Sequence, residues 1–420
     1  VLRYLKLEGF KNFQEALLPM GPLTVVVGTN ASGKSNLRDA FRVLHGISRG
    51  YTVAETLGEK WVEGGVLQWR GIRGGTREAA FRGATSFALE AGFQLEHEAG
   101  LGGDASYRIE IDVGLDGRPP GVIAERLVVG AYDVFDAVLS SPPRAMPHPF
   151  PLRVTVGESG TARFLLSDRP VLTQLLDFES GMRESAKATV RALASMRFLD
   201  LSPEAMRVPS LPGQTILGDR GENLSSVLQA ICLQESTRSA LVEWVRALTP
   251  LDVVDFEFVP DQVGRVLVTL VEQDGQRVSA YSASDGTLRF LGTIAALLGP
   301  HPAHFYFFEE LENGIHPTRL HLLTALIERK VAEGAIQVVA SSHSPQLLGL
   351  LGSASLEHAA LVYRSEGRSD ARIRRILDIP EAARVLREQD AARLHASGWL
   401  EDAVAFAESG DASEPPEALP

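Results

Sequence analysis

Residues 28–36 read GTNASGKSN, and their spacing decides the fold. They fit the pattern G-x-x-x-x-G-K-[ST], in which successive backbone N–H groups close around phosphate oxygens. Gly28 and Gly33 let the chain turn that tightly, with Asn30 between them. Lys34 supplies a cation to the outer phosphates, the Ser35 hydroxyl is placed to hold Mg²⁺, and Asn36 follows on the helix. The flanks agree. Leu23–Val27, LTVVV, is a continuous apolar run that reads as a buried central strand. A helix is expected from about Gly33 to Leu44, with its N-terminal dipole facing the anion. The expected ligands are ATP and Mg²⁺.

A P-loop ATPase also needs carboxylates at neighbouring strand tips. The stretch 305–317, FYFFEELENGIHP, supplies a strand of four aromatics ending in two glutamates. Glu309 is expected in the Mg²⁺ shell, although it is one methylene longer than an aspartate. Glu310 is expected to polarise the attacking water. Farther on, IQVVA runs into SSHSPQ and places His343 at another strand tip, where an imidazole can contact the γ-phosphate. The expected catalytic pair is Glu310 and His343.

Five motifs follow one another in a fixed order: FKNF near the start, GTNASGKSN, ASDGTLRFL at 283–291, FFEELENGIHP and SSHSPQLL. In these motifs the chain resembles the ABC-type ATPase heads of the RecF, SMC and OLD group. It is most similar to the bacterial predicted ATPases of that group, which lack long coiled coils. The resemblance covers residues 1–48 and 250–350 well and the stretch between only loosely. It implies that Ser284 and Gly286 form a signature loop that caps the γ-phosphate held by a second subunit, in an ATP-dependent head-to-head homodimer. Asp285 between them puts negative charge near the phosphates. Asn313 and Gly314, with His316, fall where the group has its D-loop, a segment that touches the partner. Gln68 lies in the stretch of the group's Q-loop but reads as a surface glutamine.

The expected fold class is α/β, an ABC-type P-loop ATPase head with a mixed sheet and flanking helices, split in sequence by a β-rich and helical insertion. Residues 1–50 form the first part of the head and 251–405 the second. Residues 51–160 carry β-like runs at 85–95, 107–113 and 121–129, and the proline-rich stretch 136–152 reads as a loop or insertion. Residues 161–250 show helical periodicity at 169–195 and 223–248 and are expected to form a compact projecting lobe. The acidic, proline-rich 406–420 is expected to be a disordered tail.

Among 420 residues, 53 Asp and Glu against 41 Lys and Arg leave a net charge of −12. That argues against a protein basic all over, but not against a local nucleic-acid patch. The single cysteine, Cys232, excludes a disulfide framework and suits a reducing cytoplasm. No apolar run approaches the ~20 residues of a membrane span. Arg183, Lys187 and Arg191 recur at i, i+4, i+8 as one basic stripe, a candidate DNA contact. Arg38, Arg42 and Arg49 form a second group, and Arg70, Arg73, Arg77 and Arg82 a third.

The expected function is Mg-dependent ATP hydrolysis with head-to-head dimerisation, in DNA repair or phage defence. The partner is DNA or a separate effector such as a nuclease, because the stretch after His343 is too short for the Toprim domain of OLD proteins. The alternative is an ATP-switched interaction protein that recruits an effector without touching DNA. A transporter motor is disfavoured by the altered signature.

Overall fold

The computed structural model describes the whole chain except residues 99–100, 115–116, 140–147, 158–160, 178–182, 250, 366, 383, 386–397 and 412–420. Its centre is a six-stranded sheet in the order Met196–Leu199, Phe305–Phe308, Gln337–Ser341, Leu23–Val27, Ala360–Tyr363, Arg372–Arg375. The first five strands run parallel, and the sixth pairs antiparallel with the fifth. Alternate residues of each strand serve opposite faces. Val26, Phe305, Phe307, Val339 and Val362 enter one core, whereas Val25, Val27, Tyr306, Phe308, Val338 and Leu361 enter the other. Both faces are covered, which is why these strands read as unbroken apolar runs.

The first core is closed by an eight-stranded antiparallel sheet, built from the two N-terminal strands Leu2–Phe10 and Phe13–Pro19 and six strands between Ser86 and Leu166. Helix Lys34–Ser48 is packed between the two sheets through Leu37, Phe41 and Leu44. The second core gathers helices Leu224–Ile231, Glu235–Leu248, Asp285–Leu298 and Pro317–Ala332 with a small sheet, Val253–Pro260, Val266–Glu272 and Arg277–Ser279. Tyr306 ties strand to helix, its hydroxyl donating to the Ala296 carbonyl at 2.6 Å.

Several boundaries differ from expectation. The P-loop helix runs on to Ser48 because Val43, Leu44 and Ile47 continue its buried stripe. The proline-rich 136–152 is bounded by strands: Tyr132–Leu139 and Pro151–Val156 pair in the large sheet, and residues 140–147 lie outside the described set. The stretch expected as a projecting lobe, 161–250, divides between the two cores. Ala186 and Leu193 of helix Arg183–Ala194 pack in the first core, and Val227, Leu228, Leu241 and Val245 pack in the second. The stretch expected as a tail begins inside helix Trp399–Asp411, with 412–420 outside the described set. No described helix is long and apolar enough to cross a membrane.

Candidate nucleotide site

Sheet order assembles the site. In the parallel register Phe308 lies beside Ala340, and Ser341 lies beside Val26. The carboxyl ends of strands 305–308, 337–341 and 23–27 therefore emerge together at one edge, where open α/β sheets bind ligands. Those ends carry Glu309–Glu310, His343 and the loop at 28–33 respectively.

The loop adopts a phosphate-binding shape. Gly33 has φ 128° and Ala31 φ 61°. A Cβ on Gly28 would stand 2.2 Å from the Val362 carbonyl oxygen, and one on Gly33 would stand 2.6 Å from Asn12 Nδ2. Neither glycine can be replaced without moving the loop. Lys34 Nζ donates to the carbonyls of Gly28 and Thr29 at 2.6 and 2.9 Å, inside the loop. Burial pulls Lys34 below the usual ammonium range, while the carboxylates of Glu310 and Glu312 oppose that shift. Ser35 is the second residue of the helix, and Asn30 is exposed in the loop. Asn36 Nδ2 donates to Asn12 Oδ1 at 2.7 Å, and Asn12 Nδ2 donates to the Ser32 carbonyl at 3.0 Å. Asn12, in the β-turn of the FKNF motif, thus clamps the phosphate loop.

The two glutamates are held differently. Glu309 makes an ion pair with Arg38 at 2.8 Å, both side chains about four-fifths buried. Arg38 lies one turn beyond Lys34 on the same helix, so the acid expected to hold metal already faces a guanidinium. Glu310 sits at φ 50°, a region few non-glycine residues adopt. Its backbone N–H is held by Ser341 Oγ at 3.2 Å, and its side chain is half exposed at the strand tip. His343 Nδ1 is 4.0 Å from Glu310 Oε1 and 3.3 Å from Glu312 Oε1. Glu312 also accepts the backbone N–H of His343 and of Ser344, at 3.0 and 3.1 Å.

The residues present fit a nucleotide and a divalent cation. Ser32 Oγ in the loop and Glu312 Oε2 at the strand edge are buried without a hydrogen-bond partner, and buried polar groups ordinarily find one. The glycine cradle leaves no room for a Cβ. A hydroxyl at Ser35 and carboxylates at Glu309 and Glu310 are the hard oxygen donors Mg²⁺ prefers.

On the opposite flank, Ser284 caps helix Asp285–Leu298, accepting from the Thr287 N–H at 3.2 Å. The helix start and the expected D-loop touch backbone to backbone: a Cβ on Gly286 would lie 2.3 Å from the Gly314 carbonyl oxygen. Asn313 Nδ2 lies 3.4 Å from Glu310 Oε2. The turn at Asn313–Gly314 therefore lies between the start of helix Asp285–Leu298 and the glutamate strand. A cleft of about 420 Å³ opens there, lined by Ser284, Gly286, Thr287, Gly314, His316 and Arg319.

A family model described as "AAA domain, putative AbiEii toxin, Type IV TA system" matches residues 23–126 and 191–349, more than half of the chain. The chain belongs to this AAA-domain family. The match opens at the P-loop strand and closes just beyond His343, so both sides of the site lie within the AAA domain. Among solved structures, an SMC head bound to the C-winged helix domain of ScpA is 13% identical, with a TM-score of 0.48, covering 89% of this chain and 96% of that one. The SMC head domain from Thermotoga maritima is 14% identical with a TM-score of 0.40, covering 89% and 98%. An SMC head with an extended coiled coil bound to the C-terminal domain of ScpA, from Pyrococcus furiosus, is 12% identical with a TM-score of 0.43, covering 92% and 98%. The comparison with curated proteins found no match.

Within the AAA domain, the structure brings together Gly28, Lys34, Ser35, Glu309, Glu310 and His343 at one sheet edge. It adds three residues that sequence reasoning did not single out for a role: Asn12, Arg38 as the partner of Glu309, and Glu312. Asn12 stood inside a quoted motif, and Glu312 stands two residues after Glu310. Neither carries a spacing rule that announces its partner. Gln68 is exposed on the hairpin Lys60–Val62/Val66–Trp69. Several members of the basic groups are committed elsewhere. Lys187 pairs with Glu184 at 2.7 Å, Arg42 stacks on Trp69 with its guanidinium 4.6 Å from the ring, and Arg73 pairs with Asp39 at 3.1 Å. On helix Arg183–Ala194, Arg191 is exposed, whereas Arg183 is half-buried with its Nε shut off from solvent.

Proposed function

We propose that this chain is a Mg-dependent ATPase whose two copies close head-to-head on ATP. The convergence of the phosphate loop, Glu309–Glu310 and His343 on adjacent carboxyl ends of parallel strands carries this reading. Gly28, Asn30, Gly33, Lys34 and Asn36 hold the triphosphate through backbone N–H groups and the ammonium. Ser35 and Glu309 hold the cation, which when bound neutralises phosphate charge. Glu310 accepts a proton from the attacking water, and His343, braced by Glu312, faces the terminal phosphate. Ser284 and Gly286 meet the nucleotide of the second copy, and the close packing of Gly286 on Gly314 couples that encounter to the D-loop and so to Glu310.

The work this engine drives is proposed to lie in DNA repair or phage defence, on DNA or through a separate effector such as a nuclease. The family description, which names a toxin and a Type IV TA system, supports the interaction-protein alternative equally.

The decisive experiment compares Lys34→Ala and Glu310→Gln. Lys34→Ala should lose ATP binding. Glu310→Gln should keep it while turnover falls by roughly 10² or more, and sedimentation should then show ATP-driven dimers. Undiminished turnover in Glu310→Gln would show that another carboxylate is the base.

A further inference from the structure

A signature loop that meets phosphate ought not to carry an acid, and this one carries Asp285 as the first residue of its helix. An acid there satisfies the positive end of the helix that an incoming phosphate would otherwise use. The structure resolves the conflict with Arg207, which follows helix Pro203–Met206. Arg207 Nη2 donates to Asp285 Oδ1 at 2.7 Å and to the Ala283 carbonyl at 3.0 Å. It therefore grips the signature loop on both sides of Ser284. The Asp285 side chain is 68% exposed and that of Arg207 27%. A pair so open to solvent contributes little to folding stability, so its place beside Ser284 calls for another explanation.

We propose that Arg207 sets the charge of the signature loop: it cancels the Asp285 carboxylate, so that the loop can meet the phosphates held by a second copy. The inference rests on the head-to-head reading above and deepens it. Without Arg207, closing two heads would press an unpaired carboxylate towards a polyphosphate as water is excluded, and the repulsion would grow with closure. With Arg207 in place, the pair carries no net charge.

The test measures ATP-driven association by sedimentation in a Glu310→Gln parent. Arg207→Ala is expected to weaken association about tenfold or more while leaving ATP binding to the isolated head unchanged. Adding Asp285→Asn removes the charge that Arg207 cancels, so Arg207→Ala/Asp285→Asn should return to within about threefold of the parent. Arg207→Lys, which keeps the charge and disturbs packing least, should do the same. A double variant as weak as Arg207→Ala overturns the inference, because Arg207 then acts through its own packing or its own phosphate contact. Complementation locates the effect. Mixing Lys34→Ala with Arg207→Ala, both with native Glu310, should restore ATPase activity, since one composite site then has an intact P-loop and an intact signature. Absence of recovery overturns action across the interface. A parent that does not associate on ATP overturns the head-to-head reading itself.

Discussion

Glu312 Oε1 accepts the backbone N–H of His343 at 3.0 Å and stands 3.3 Å from the same residue's ring Nδ1. One carboxylate oxygen thus fixes both the loop and the imidazole that the loop presents. The Glu312 side chain is 9% exposed and its second oxygen has no hydrogen-bond partner. Oε1 is the oxygen that holds His343 in place. Glu312→Gln should lower turnover by about tenfold, with nucleotide affinity little changed. His343→Ala should do likewise, and the double variant should be no worse than either single one. Additive losses in steady-state ATPase assays would separate the two residues.

If Glu309 holds the cation as proposed, its ion pair with Arg38 should set the metal dependence. Mg²⁺ must compete with a guanidinium for Glu309, so Arg38→Gln should lower the Mg²⁺ concentration giving half-maximal ATPase, by about threefold. Glu309→Gln should raise it. Titrating Mg²⁺ at saturating ATP reads both. Identical Mg²⁺ curves in all three proteins would remove Glu309 from the metal shell.

Asn12 joins the FKNF turn to the P-loop through two hydrogen bonds, to Ser32 and from Asn36. Each contributes about 1 kcal/mol. Asn12→Ala should therefore weaken ATP binding by up to about thirtyfold, measured calorimetrically on the intact chain. An unchanged Kd would show that the loop holds its shape without the clamp.

Gly286 cannot accept a side chain without displacing Gly314. Gly286→Ala should leave ATP binding to Lys34 intact and reduce ATP-driven association, because the D-loop moves. Normal association with lost binding would reverse that assignment.

His45 provides a pH signature of the fold. Burial among Trp69 and Phe198 pulls its pKa down to about 4, and its Nδ1–H donates to the Leu193 carbonyl at 3.0 Å. The unfolded chain takes up this proton below pH 6.5, whereas the folded chain resists it until about pH 4. The stability from neutral His45 is fully present above pH 6.5 and is lost as pH falls through that window, by about 3 kcal/mol at most. Denaturant titrations should show His45→Phe losing less stability than the native chain between pH 7 and pH 4.

The phosphate loop, the apolar strands at 23–27 and 305–308, the glutamates and His343 were legible in the residues themselves. Each is a contiguous stretch whose backbone need, glycine at a tight turn or aromatics in a doubly covered strand, is written at adjacent positions. The helical stretches at 169–195 and 223–248 were legible as helices but not as parts of two separate cores. An amphipathic face declares that it must be buried, not against what. Tertiary structure alone decided that Arg38 answers Glu309, that Glu312 braces His343, and that Arg207 answers Asp285. Those pairings depend on which strands lie side by side and where helix ends meet, relations between residues far apart in the chain. Side-chain chemistry named the charged groups in advance, and only the sheet order set which of them stand within reach of one another.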